Sequence, residues 1–125
     1  MHIKEKELKG VSIPAIGLGT WQLRGKNCQN AVKKAVELGY RHIDTAKMYH
    51  NEEQVGRGIS DFDREDLFLT TKIWRTQLSY DDFISSTEDS LKKLNTDYID
   101  LLLIHWPNKN ISLKETAEAM DRVVE

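Results

Sequence analysis

The stretch GYRHIDTAKMYHNE, residues 39–52, decides how the rest of this chain is interpreted. Its pattern predicts a short strand from Tyr40 to Asp44, entered from a glycine and followed by a polar turn that carries Tyr49. A helix is predicted to begin near Asn51, whose side chain can cap the first free backbone N–H groups. A carboxylate and a phenol at the end of a strand are costly to bury unless they are paired or functional. Taken alone, the stretch fits a site and a capped turn beside a packing aromatic equally well.

Composition excludes several classes of function. The chain has 125 residues, which suits one domain with a single hydrophobic core. Its 18 basic and 20 acidic residues give a net charge of -2, so nothing favours binding to nucleic acid or to an acidic membrane surface. The single cysteine, Cys28, excludes an internal disulfide, fits a reducing cytosol and has no neighbours at metal-ligand spacing. We therefore expect one domain over residues 1–125 without a bound metal.

The chain also lacks the signals of export and of membrane insertion. Residues 1–7 are mostly charged and carry no apolar stretch of the kind found in a signal peptide. The longest apolar run, Leu101 to Ile104, is too short to span a bilayer. We therefore expect a cytoplasmic protein.

Hydrophobic patterning predicts a β-hairpin followed by four strand–helix units. The hairpin pairs residues 3–8 with 11–13 around Lys9-Gly10, and the later strands are residues 16–21, 40–44, 67–72 and 98–105. The helices are predicted at about 27–38, 51–59, 79–94 and 112–124. The strand ends at Asp44, Lys72 and His105 lie about 30 residues apart, the length of a βα unit. Such alternation predicts a parallel sheet joined by right-handed crossovers.

Local patterns also predict how the later helices begin and pack. Two capping arrangements precede helices, Ser79 with Asp82 and Ser112 with Glu115. The last helix is predicted to turn three apolar residues inward: Ala117, Met120 and Val124.

Four polar residues are predicted to meet at one edge of the sheet. Asp44, Lys72 and His105 end successive strands, and Tyr49 follows the first of them. The C-terminal ends of parallel strands converge, and α/β folds hold their chemistry at that edge. A lone residue of any of these types is usually structural. Four of them at equivalent positions favour a site.

These segments resemble the aldo-keto reductase family. The resemblance is carried by GLGTW at 17–21, GYRHIDTAKMYHNE at 39–52, LFLTTKIW at 67–74 and DYIDLLLIHWP at 97–107, in the family's order and spacing. It implies the N-terminal half of a (β/α)8 TIM barrel, that is, the first four βα units preceded by a β-hairpin.

The resemblance also implies roles for individual residues. Four residues match the family's catalytic tetrad: Asp44, Tyr49, Lys72 and His105. Three match positions that line the substrate pocket: Trp21, Trp74 and Trp106. Five could touch the nicotinamide ribose side of the implied cofactor, NADPH: Gly19, Thr20, Trp21, Asp44 and Lys72.

The residue types fit the reduction of an aldehyde or ketone, which needs a hydride on carbon and a proton on the developing alkoxide. Lys72 would make Tyr49 a stronger acid, and Asp44 would keep Lys72 charged and fixed. Tyr49 is then the general acid, and His105 orients the carbonyl. The implied function is NADPH-dependent carbonyl reduction, with a small carbonyl compound as the substrate.

The family barrel has about 250 residues or more, so the 125-residue chain is expected to be inactive alone. Two alternatives stay open. Two copies could form a pseudo-barrel with some activity, or a truncated, non-enzymatic half barrel could bind a protein partner. Free strand edges predict self-association. So does an inner face predicted from four apolar residues: Ile43, Phe68, Leu101 and Leu103.

Overall fold

The computed structural model describes residues 3–124, so residues 1, 2 and 125 of the predicted domain lie outside the described residues. The strands are β1 Glu5–Leu8, β2 Val11–Pro14, β3 Gly17–Gly19, β4 His42–Asp44, β5 Phe68–Ile73 and β6 Leu101–Ile104. The α-helices are α1 Gly25–Glu37, α2 Glu52–Ile59, α3 Tyr80–Leu94 and α4 Leu113–Val124. None of these helices is long and apolar enough to cross a membrane.

Strands β3 to β6 form a four-stranded parallel sheet in sequence order, and β1 and β2 form a separate antiparallel hairpin. The hairpin turns at Lys9 and Gly10, whose φ angles of 50° and 83° are those of a two-residue turn. In the sheet, Asp44 is opposite Thr70, and Lys72 is opposite Leu103. The α/β fold and the hairpin predicted from the sequence are confirmed, and the register brings the C-terminal ends of the strands to one edge.

Two apolar clusters join the sheet to its helices. The first contains nine buried residues: Cys28, Val32, Val36, Ile43, Val55, Ile59, Leu67, Leu69 and Leu94. The second lies between β5, α3 and α4 and is built on Ile73, Leu78, Phe83 and Ala119. The prediction that Ile43 lines the inner face of the sheet is wrong, because the residue is fully buried against the helices.

Helix α2 packs closely against its neighbours because two of its residues are glycines. A Cβ atom on Gly56 would lie 2.8 Å from the carbonyl oxygens of Lys93 and Leu94 at the end of α3. A Cβ atom on Gly58 would lie 2.8 Å from the carbonyl oxygen of Gln29 in α1. Real Cβ atoms do not approach a backbone oxygen so closely, so only glycine at these two positions allows this close packing.

The start of α3 differs from the predicted cap, whereas the predicted cap of α4 by Ser112 is present. The Ser79 side chain makes no capping bond to α3. Instead, the backbone N–H of Tyr80 donates to Glu115 Oε2 at 2.7 Å, so a residue of α4 caps α3. Ser112 does cap α4, since its Oγ accepts from the N–H of Lys114 at 3.1 Å.

The inward face of α4 is also different from the prediction. Thr116 and Ala119 are buried, whereas Val124 is 85% exposed. Thr116 Oγ1 donates to the carbonyl of Leu78 at 2.8 Å, so a polar residue of α4 binds the loop that precedes α3. The prediction that Ala117 and Val124 turn inward is wrong, because it considered only the apolar residues of the helix.

Candidate active site

Asp44 and Lys72 form an ion pair at the C-terminal edge of the sheet. Lys72 Nζ donates to Asp44 Oδ1 and, at 2.9 Å, to the carbonyl oxygen of Thr45. The Lys72 side chain is 15% exposed and that of Asp44 is 41% exposed. A nearly buried ammonium needs such partners, since an unpaired one would bear the whole desolvation penalty.

Tyr49 lies on a 3₁₀ turn, Lys47–Tyr49, between β4 and α2. His50 ends the turn in the left-handed region, with φ 56°, and its backbone N–H donates to the carbonyl of Lys47 at 3.1 Å. This turn brings the Tyr49 ring over the sheet edge, with Lys72 Nζ 5.2 Å from the ring centroid. The phenol and the ammonium therefore share one small region.

His105 follows β6 and stays in register because its backbone N–H donates to the carbonyl of Ile73 at 3.0 Å. Its ring meets Tyr49 edge-on, with centroids 5.8 Å apart and planes at 89°. Burial, and then the positive charge of Lys72, lower the pKa of His105 below its ordinary value, while Asp44 acts in the opposite direction. The imidazole is therefore neutral near pH 7.

The tautomer of His105 follows from its surroundings. Nδ1 is buried and has no hydrogen-bond partner among the described residues. A neutral imidazole carries one N–H, and burying that N–H without an acceptor is less tolerable than burying a free lone pair. The proton is thus assigned to Nε2, which makes this nitrogen a hydrogen-bond donor.

Two of the three predicted substrate-pocket tryptophans surround His105. Trp74 meets the imidazole edge-on at 5.3 Å, and Trp106 does so at 6.1 Å. The two indoles lie 5.6 Å apart at 42° and form a tilted wall. Trp21, in the loop after β3, is 69% exposed and makes no ring contact with this wall in the described part of the chain.

A buried polar network that the sequence did not reveal joins the loops after β3 and β4. Thr20 Oγ1 donates to Thr45 Oγ1 at 2.8 Å, and Thr45 Oγ1 donates to Asn51 Oδ1 at 2.7 Å. Asn51 Nδ2 donates to the carbonyls of Thr20 at 2.8 Å and Leu23 at 3.0 Å. The prediction that the Asn51 side chain caps α2 is wrong. The Thr20 hydroxyl donates its proton within this network, so it has none left to donate to a cofactor. The cofactor role of Thr20 stays a prediction.

Lys47 anchors the turn that carries Tyr49. Its Nζ donates to Asp89 Oδ2 at 2.7 Å and to the carbonyl of Ser86 at 3.2 Å, both in α3. The bond from Lys47 lowers the pKa of Asp89. Lys47 also lies 4.0 Å from Glu52, which is buried and accepts from Thr71 Oγ1 at 2.7 Å. Lys47 and Asp89 are 42 residues apart, so no local sequence pattern could have predicted this anchor.

Comparison with known proteins assigns the chain to a family. Residues 15–125 match the model of the Aldo/keto reductase family, and the chain belongs to that family. A curated relative, methylglyoxal reductase DkgB of Escherichia coli O157:H7, is 49% identical over 114 residues, which is 88% of this chain and 43% of that relative.

Solved structures give the same answer. The thermostable aldo-keto reductase Tm1743, in complex with the inhibitor epalrestat, superposes with a TM-score of 0.90 at 48% identity over 96% of this chain and 49% of its own. The Bombyx mori aldo-keto reductase in complex with NADP superposes with a TM-score of 0.89 at 38% identity. This match covers 98% of the present chain and 47% of the Bombyx mori chain. The chain therefore spans less than half the length of these proteins.

Proposed function

We propose that this chain supplies the acid–base site of an enzyme that reduces aldehydes and ketones to alcohols with NADPH. One observation carries the proposal. Lys72 is paired with Asp44 and lies 5.2 Å from the centroid of the Tyr49 ring, which in turn lies edge-on to the His105 ring. No structural purpose requires a phenol, an ammonium and an imidazole at one strand edge.

Tyr49 acts as the general acid in this proposal. The positive charge of Lys72 stabilises the phenolate that remains once the proton has moved to the carbonyl oxygen. Asp44 keeps Lys72 protonated and holds it against the carbonyl of Thr45. The Lys47 anchor fixes the turn that carries Tyr49, so the acid stays in place while the substrate binds.

His105 orients the substrate. Its Nε2–H donates to the carbonyl oxygen and stabilises the negative charge that develops there. A neutral imidazole suits this role because it donates a hydrogen bond without competing with Tyr49 as the acid. Trp74 and Trp106 provide the apolar wall against which the substrate lies.

When bound, the nicotinamide supplies the hydride. The predicted cofactor residues fit such a group on this side of the barrel. The Asp44 carboxylate is 41% exposed and can accept from a ribose hydroxyl. A Cβ atom on Gly19 would meet no atom within 4 Å, which leaves room beside the backbone. The exposed Trp21 indole offers a flat apolar surface nearby.

The proposal is tested in a complete barrel, made by joining this chain to the C-terminal half of the Escherichia coli relative. Methylglyoxal-dependent oxidation of NADPH should appear in this chimera and fall by about 10²–10⁴-fold in Tyr49→Phe. Tyr98→Phe is the matched control, because Tyr98 lies at the other end of the sheet against Arg64. A Tyr49→Phe chimera with normal turnover would show that the acid has been misassigned. The chain alone should be inactive.

A further inference from the structure

The loops at the two ends of the sheet differ in charge. The four loops that follow β3, β4, β5 and β6, here called the mouth loops, are residues 20–24, 45–51, 74–79 and 105–112. Their permanently charged residues are all basic: Arg24, Lys47, Arg75 and Lys109. The loops at the opposite end, residues 38–41, 60–67 and 95–100, hold two arginines and six acids: Asp61, Asp63, Glu65, Asp66, Asp97 and Asp100.

Two of the cations near the mouth, Lys47 and Lys72, are ion-paired, and Arg75 is the unpaired cation at the aromatic wall in the described part of the chain. Lys72 is neutralised by Asp44, and Lys47 by Asp89. Arg75 is exposed and has no carboxylate within ion-pair distance in the described part of the chain. Its guanidinium carbon lies 5.7 Å from the centroid of the Trp74 ring.

The position of Arg75 relates it directly to the proposed reaction. Trp74 contacts the Arg75 guanidinium and also the His105 imidazole, so the cation and the proposed carbonyl donor touch one indole. The backbone of Arg75 is fixed as well, because its carbonyl accepts from Asn108 Nδ2 at 2.9 Å. A substrate that lies along Trp74 with its carbonyl at His105 extends toward this guanidinium.

We infer that Arg75 binds an oxyanion group, a carboxylate or a phosphate, on the carbonyl substrate, and that the enzyme prefers anionic aldehydes and ketones. This inference rests on the proposed function. A guanidinium presents paired N–H donors that match the two oxygens of such a group. The surplus of positive charge in the mouth loops adds attraction at a distance, which raises the rate of encounter.

Binding is measured first on the 125-residue chain itself, which needs neither cofactor nor turnover. The indole N–H signal of Trp74 is followed by NMR during titration with succinate and, as a neutral match, succinamide. Succinate should bind about 5–30-fold more tightly, and the preference should disappear in Arg75→Met. Arg57→Met, on α2 and 63% exposed, is the matched control and should keep it. Equal binding of the two probes, or an unchanged preference in Arg75→Met, overturns the inference.

Turnover in the chimeric barrel gives the second measurement. The ratio of kcat/KM for 4-oxobutanoate over 4-oxobutanamide should exceed one, fall with added salt, and fall about 5–30-fold in Arg75→Met. If Arg75→Met instead weakens NADPH binding and leaves this ratio unchanged, the cation serves the cofactor phosphates and the inference is wrong. If neither compound is reduced while succinate still binds through Arg75, the proposed function fails and the anion site stands.

Discussion

Asn51 shows how much a single side chain can organise near this site. Both polar atoms of its side chain are bonded to groups in two different mouth loops, and the residue is 1% exposed. Buried polar groups strengthen one another when every partner is satisfied, and they are costly when one partner is lost. Asn51 therefore holds the loop of Trp21 against the loop of Tyr49.

Asn51→Ala should lower the free energy of unfolding by about 1–3 kcal/mol, because it removes the side-chain donor to the carbonyls of Thr20 and Leu23 and the acceptor of the buried Thr45 hydroxyl. Urea denaturation followed by tryptophan fluorescence measures the change. Asn110→Ala, in the exposed loop before α4, should have almost no effect. Equal midpoints for the two variants would mean that water replaces the Asn51 amide at no cost.

His105 offers a test of the electrostatics at the same scale. Because burial and Lys72 lower the pKa of His105, Lys72→Met should raise this pKa, and Asp44→Asn, which removes the opposing charge, should lower it further. The imidazole proton shifts, recorded against pH by NMR, give both values. Shifts of the same sign in the two variants would contradict the assignment of these charges.

The same pKa makes stability depend on pH in a definite direction. A histidine whose pKa is lower in the folded state favours folding in its neutral form. Its contribution is complete above the unfolded value of about 6.5 and is lost as the pH falls below it. The midpoint of thermal unfolding should fall as the pH is lowered from 8 to 5, and it should fall less in His105→Gln than in the parent chain.

At the scale of elements, α2 is the helix with the least freedom to change. Alanine in place of Gly56 would gain about 1 kcal/mol of helix propensity. It would also drive a Cβ atom to within 2.8 Å of two backbone oxygens of α3. Backbone oxygens at a helix end cannot turn aside as a flexible side chain can.

Gly56→Ala should therefore destabilise the fold by about 1–3 kcal/mol net of the propensity gain. Gly19→Ala is the control, since its Cβ atom would meet nothing within 4 Å. The midpoints of thermal unfolding measure both changes. A Gly56→Ala variant as stable as the parent would mean that α2 and α3 can move apart at little cost.

The elements were predictable from the sequence and their partners were not. Hydrophobic periodicity and turn residues are local, so they located the strands, the hairpin and the strand ends that carry Asp44, Lys72 and His105. Asn51 and Ser79 look the same in sequence as true helix caps. In the structure, Asn51 binds across to Thr20, 31 residues away, and Glu115 caps α3 in place of Ser79 by accepting from Tyr80, 35 residues away. Only the packed sheet brings such groups together.

At the scale of the whole molecule, the exposed apolar surface of the inner face is concentrated on β6. Leu103 is 37% exposed, whereas Phe68 is 7% exposed and packs against the His42 ring, with the ring centroids 4.9 Å apart. Strand β3, at the other edge of the sheet, has three residues, of which two are glycines. Self-association of the isolated chain stays a prediction, and β6 is the surface that favours it.

Leu103→Glu should therefore shift the isolated chain toward monomer in sedimentation equilibrium at micromolar concentration. Leu38→Glu is the control, because Leu38 is 57% exposed at the end of α1, away from the sheet edge. A chain that is already monomeric, with a native-like near-UV circular dichroism spectrum, would show that this face tolerates water.

The cap that Glu115 provides for α3 has a consequence for the order of synthesis. A ribosome releases Tyr80 well before Glu115, so the first turn of α3 emerges with its amide bonded only to water. That turn follows directly on the loop of Trp74 and Arg75. The start of α3, next to the aromatic wall of the proposed pocket, therefore gains its cap only when α4 has left the exit tunnel and docked.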